Sequence, residues 1–299
     1  MVDGAKKGVS VNLQRIKEFY QTISISNDGK FSVLKNAFKT FSNSRAPQAA
    51  ASLAYYAIFS LFPLLIILIA VSSFFLNNLQ VYQSITRLVQ DTFPTAPKLI
   101  IENLRQVLDA RGPVGVVGLL TLLWSASGFF TNLAYNVNQA WPVAPQRSFI
   151  EKRLVGLGMI VQLGALLILS LAVDSFAKFA GILNLDTIPY LQNVPWGIFS
   201  SLGSWLIIFL LFLELYRWVP SVKVRWKATF WGALTASVGW KIATAGYTWY
   251  LNAGFGRYQL IYGSLGAIIA LLFLIYLLSI ITLFGAHLSA AIDRREKEK

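Results

Sequence analysis

Lys241 lies near the middle of Ala228 to Leu251, an apolar run with no other charge. If that run crosses a bilayer, a cation there costs about 2.5–3.5 kcal/mol on insertion scales, so the side chain is expected to face the bundle interior or a wet cavity. In that position it can attract an anionic solute or a lipid headgroup. The blander alternatives are a stem that snorkels toward the interface, or a hydrogen bond to Gln162 or a backbone carbonyl. Gln162, Trp124 and Ser127 are polar groups in other apolar runs and complete a candidate substrate path. Glu214 and His287, at similar depth near two other run ends, form a possible pair on the cytoplasmic side, with a structural pairing as the plainer reading.

Hydrolytic chemistry finds little support in the same inventory. Metal-dependent phosphodiester cleavage needs several carboxylates or histidines converging on one or two ions. The 299 residues hold one His, no Cys and 13 acidic residues scattered among tail, loops and run ends. They show no metal-ligand spacing and no Gly-rich phosphate loop of the Walker type. No Ser has a His and an acid at matched depth. The residues therefore read as a non-enzyme with no cofactor and no metal.

The elements that must position these groups are membrane helices. The composition is 56% hydrophobic and 13% charged, with a mean hydropathy of +0.57, which suits one membrane bundle rather than two soluble domains. Ala49 to Leu76 is uncharged and longer than the roughly 20 residues a spanning helix needs. Its small residues Ala49, Ala50, Ala51, Ser52, Ala54 and Ala57 make it the expected organising helix. Pro63 should bend it unless Ser60 or a neighbour satisfies the freed carbonyl, and it reads as a packing kink rather than a hinge. Five further spans are expected at about 113–140, 154–173, 196–216, 228–251 and 264–290, giving a membrane domain over 49–290.

The connecting segments carry their own patterns. Residues 1–48 form a cytoplasmic tail ending in a short helix, Phe31 to Phe41, which suits either the membrane interface or the bundle's cytoplasmic face. The outer region 77–112 keeps two amphipathic helical stripes and is expected to lie over the mouth of the bundle. Tyr262, Gly263 and Gly266 suggest a tight turn followed by close helix contact. Residues 291–299, with the run DRREKEK, read as a charged, solvated tail.

The net charge of +13 would suggest nucleic acid in a soluble protein. Here 19 of the 26 Lys and Arg lie in alternate segments on one side of the expected spans and 6 on the other. The positive-inside rule explains that excess without nucleic acid and places both termini in the cytoplasm.

The stretches ASLAYYAIFSLFPLL, GLLTLLWSASGFFTNLAYNVNQAW, YRWVPSVKVRW and YGSLGAIIALLFLIYLLSIITLFGAHLSAA resemble the YihY/BrkB family of bacterial inner-membrane proteins, from about Phe31 to Ala291. The resemblance implies an all-α, six-helix integral protein of the bacterial cytoplasmic membrane. Members have been called virulence factors, transporters and, under an older label, ribonuclease BN. The chain departs from the family pattern at Glu214, at Lys241 and Thr244, and at His287 after Gly285 and Ala286.

Two classes of function follow. One is a transporter or translocator of an anionic lipid or other anionic solute, in which basic clusters at 147–153 and 217–227 collect anionic lipid at the cytoplasmic headgroup level. The other is a non-catalytic envelope scaffold or accessory protein that docks partners on the outer amphipathic layer. Membrane lipids are the expected surroundings in both, and nothing in the sequence sets an oligomeric state.

Overall fold

A computed structural model describes residues 29–72, 86, 101–102, 116–182, 196–251, 253 and 264–298. Among these the chain is all-α, with seven helices: α1 Gly29–Asn43, α2 Ala46–Ser72, α3 Val116–Asn138, α4 Phe149–Ile182, α5 Trp196–Trp218, α6 Trp226–Tyr250 and α7 Ser264–Lys297. The N-terminal tail before Gly29, almost all of the outer region 77–112, the loop 183–195 and the turn at Tyr262 and Gly263 lie outside the described residues. Ile268–Lys297 is, among the described residues, the one helix that passes a test of length and apolarity for crossing a membrane.

Helix α7 organises the bundle, not the helix around Pro63. It packs along α6, α2 and α1, while α2 pairs with α3, α3 with α4 and α5 with α6. The order α7–α2–α3–α4–α5–α6 closes into a ring whose thinnest contact is α4 against α5. The cause is side-chain size. A Cβ built on Gly232 of α6 would come 2.7 Å from Ser289 Cβ and 2.8 Å from the Gly285 carbonyl of α7. One built on Gly285 would come 2.8 Å from Ala236 Cβ. Helices this close need small residues at the crossing. Every residue from Thr282 to Ala291 except Phe284 is buried. Helix α2, which packs on α3 and α7, buries Ala50, Leu53 and Ala54.

Helix α2 continues through Pro63 to Ser72. The Ser60 hydroxyl donates across to the Ser125 carbonyl of α3 at 3.1 Å, so it joins two helices. Helix α4 begins five residues before the expected span and continues through Asp174, since Gly164 to Gly181 contains no strong helix breaker.

The C-terminal segment corrects the expectation of a solvated tail. Helix α7 runs to Lys297, and Asp293 is only 1% exposed. Helix α1 lies on α7 through Ala37 against Leu288 and Ala291, and it turns Leu34 and Phe38 outward. It therefore packs on the bundle while keeping an apolar outer edge.

The α1–α2 turn contains Arg45 at φ 53°, the left-handed region that glycine occupies without a Cβ penalty. Arg45→Gly is expected to stabilise the bundle by about 0.5–1 kcal/mol. The check is thermal unfolding of the purified protein in detergent, where an unchanged or lower melting temperature would remove strain at this turn.

Candidate functional site

The basic segments meet at one end of the bundle. Arg147, in the α3–α4 turn, donates from Nη1 to the Val219 carbonyl at 2.6 Å. The Ser221 amide, in the α5–α6 turn, donates to Asn138 Oδ1 at 2.8 Å, and Lys297 Nζ reaches the Lys223 carbonyl at 3.4 Å. The α1–α2 turn joins them through Ser44 Oγ, which shares a 3.0 Å hydrogen bond with His287 Nε2. Burial and the Glu151 carboxylate act oppositely on Arg147, and burial dominates, lowering its pKa from the ordinary value.

Asp293 is the buried anchor of this end. Its Oδ1 accepts the Arg225 amide at 3.0 Å, and its Oδ2 pairs with Lys297 Nζ at 2.6 Å. Arg225 is the N-cap of α6 and has no side-chain cap bond of its own. A carboxylate from α7 therefore sits at the positive end of the α6 dipole. Lys227 adds a 2.8 Å ion pair to Glu296. The chain sequence gave one local signal for this arrangement, the Asp293 and Lys297 spacing of four on a helix.

Farther into the bundle, the expected partners separate. Lys241 does not face the interior; it is exposed on α6, beside exposed Val238 and Ile242. The buried face of α6 is instead its small-residue stripe, Gly232, Ala233, Ala236 and Ser237. Gln162 does not meet Lys241. It donates from Nε2 to Glu214 Oε2, a bond between α4 and α5 across the thinnest contact of the ring. Glu214 thus pairs with Gln162, while His287 pairs with Ser44 and packs edge-on against Phe41 at 5.8 Å. The proposed Glu214–His287 pair is not formed. The two side chains serve different interfaces, α5 with α4 and α7 with the α1–α2 turn.

Trp124 and Ser127 do come together, on a partner that sequence reasoning had left among the basic turn residues. Arg153 of α4 donates from Nη1 to Ser127 Oγ at 2.7 Å and to the Trp124 carbonyl at 3.2 Å. Its guanidinium lies 4.3 Å from the Trp124 ring centroid. Trp124 is 57% exposed, so it faces outward rather than into the bundle. Gly156 brings α4 up to α3 at this level: a Cβ there would meet Thr131 Oγ1 at 2.7 Å.

Asn132 of α3 donates to Ser52 Oγ of α2 at 3.0 Å, while Asn136 bonds within α3 to Asn132. Gly266 is buried near the start of α7. Among the described residues, no group of three or more His, Asp or Glu side chains is placed to hold a metal ion.

Sequence relatives of this chain match it along most of its length. The UPF0761 membrane protein of Vibrio campbellii is 28% identical over 287 residues, covering 95% of this chain and 90% of its own length. A protein named as ribonuclease-like, YfkH of Bacillus subtilis, is 26% identical over 275 residues, covering 89% of this chain and 97% of its own. The UPF0761 membrane protein NTHI0384 of Haemophilus influenzae is 25% identical over 259 residues, covering 86% and 93%. No solved structure matches the chain. The family described as Virulence factor BrkB matches residues 37–299, and the chain, a membrane protein, belongs to that family.

Proposed function

We propose that this protein is a six-span translocator of an anionic lipid or other anionic solute in the bacterial cytoplasmic membrane, with both termini in the cytoplasm, and that it is not an enzyme. Helices α2 to α7 have between 23 and 34 residues. At 1.5 Å per residue each is at least about 34 Å long, enough to cross the hydrocarbon layer. Their basic turns meet at one end, which the positive-inside rule assigns to the cytoplasm.

The observation that carries the reading is the exposure of Lys241 on an otherwise apolar outward face of α6. Lys241 lies nine residues before Tyr250 and fifteen after Trp226, or about 14 Å and about 22 Å from the two helix ends. A lysine stem does not span either distance, so snorkelling alone does not hydrate the ammonium. A cation in that position is unfavourable in lipid tails and becomes favourable when an anionic headgroup meets it. The headgroup would then pass along the outer face of α6 while its acyl chains stay in the bilayer.

The test is transbilayer movement in proteoliposomes, followed by chemical quenching of fluorescent phosphatidylglycerol and, in parallel, fluorescent phosphatidylcholine. Wild type is expected to accelerate phosphatidylglycerol movement, and Lys241→Met to reduce that rate at least tenfold. Equal rates for both proteins would remove Lys241 from the path. Loss of movement by the empty-liposome criterion in wild type as well would favour a scaffold.

A further inference from the structure

The arginine on the α3–α4 face has more hydrogen-bonding capacity than the protein uses. Arg153 directs Nη1 to two acceptors, Ser127 Oγ and the Trp124 carbonyl. Its Nε–H is buried without a partner. No carboxylate pairs with it among the described residues. Glu151, the nearest acid in sequence, is engaged elsewhere, with Oε2 accepting the Ser148 amide at 2.9 Å. A buried donor on a permanent cation without a partner is costly and uncommon.

The surroundings add shape to the charge. One face of the guanidinium stacks on Trp124, and the Phe149 ring centroid lies 5.6 Å away. Trp124 is 57% and Phe149 63% exposed, so the aromatic wall opens outward. Ser127, at 1% exposure, holds the guanidinium from the buried side. It lies eleven residues before Asn138, which places the charge about 16 Å along α3 from the basic end. Nη1 is engaged and Nε is buried, so the two N–H groups of Nη2 are those left to donate charge-assisted hydrogen bonds to an oxyanion.

We infer that Arg153, braced by Ser127 and stacked on Trp124, forms a binding site for a phosphate oxyanion on the α3–α4 face. The ligand meets the guanidinium at Nη2, the nitrogen that no residue engages and that is not buried, and the aromatic wall accommodates apolar substituents of a phosphate ester. The site stands on a different residue and a different helix pair from the proposed translocation path at Lys241.

The full-length protein in detergent is titrated calorimetrically with dihexanoyl phosphatidylglycerol and, separately, with inorganic phosphate. Wild type is expected to bind at least one of them. Binding of the lipid alone assigns a lipid headgroup, and binding of both assigns any accessible phosphate. Arg153→Gln is expected to weaken binding at least tenfold, and Arg153→Lys, which keeps the charge but loses the Nη2 amino group and the stack, threefold or more. Ser127→Ala should weaken binding severalfold by freeing the guanidinium. If Arg153→Gln does not purify folded, Arg153→Lys and Ser127→Ala decide. Wild-type affinity in folded Arg153 and Ser127 variants, or no binding of either probe to wild type, overturns the site. Loss of binding only in Lys241→Met overturns it while leaving the translocation path standing.

Discussion

Gly285→Leu should prevent accumulation of the folded bundle. The position faces two helices at once: a Cβ there would lie 2.5 Å from Tyr216 Oη of α5 and 2.8 Å from Ala236 Cβ of α6. Tyr216 cannot yield easily, being fully buried and donating to the Thr282 carbonyl at 2.7 Å. Ala236 offers no side chain to rotate. Relief therefore requires α7 to separate from α5 and α6, and α7 also carries α1 and α2. Overpacking a tight core costs about 1–3 kcal/mol and occasionally more; a leucine at a three-helix crossing belongs at the upper end. Membrane-fraction yield and a monodisperse elution profile in mild detergent are the readouts. Gly285→Ala should show an intermediate loss, and a wild-type yield for leucine would mean that α7 does not cross α6 as described.

Asp293→Ala is expected to cost about 1.5–3 kcal/mol, the range for a hydrogen bond to a charged group. The carboxylate does two things: it accepts the Arg225 amide where α6 begins and it pairs with Lys297. Its loss leaves the N-cap amide of α6 without its acceptor and removes a negative charge from the positive end of the helix dipole. Lys297→Ala removes the partner whose side chain is 48% exposed and leaves the buried Asp293 carboxylate without its counter-charge; it should cost about 3 kcal/mol, the lower end of the range for breaking a buried pair. Thermal unfolding of the two variants beside wild type checks both, and wild-type melting temperatures would place the anchor elsewhere.

These two positions show where sequence reading stopped. Helices were legible because uncharged apolar runs longer than about 20 residues have few other structures available in a bilayer. All six expected spans begin within five residues of an observed helix start, and α5 and α7 begin where expected. The last helix was legible only to Ala290, because DRREKEK has the composition of a solvated tail and the burial of Asp293 depends on α6, far away in sequence.

The direction in which a polar side chain points was the harder inference. In a helix that is apolar all round, hydrophobic periodicity does not separate the neighbour-facing side from the lipid-facing side. The small-residue stripe of α6, Gly232, Ala233 and Ala236, carried that information, and reading it would have turned Lys241 outward. Arg153 was hidden for a related reason. Its position in a basic turn accounts for its charge by topology alone, while the reach of its side chain to Ser127 depends on how closely Gly156 lets α4 approach α3.

The central claim is that the outward cation on α6 meets an anionic headgroup. Its most direct test is native mass spectrometry of protein released from nanodiscs of mixed phosphatidylglycerol and phosphatidylcholine, comparing wild type with Lys241→Met. Retention of phosphatidylglycerol by wild type, with at least tenfold less of the Lys241-dependent adduct in the variant, is the expected result. Equal phosphatidylglycerol content in both proteins would contradict it.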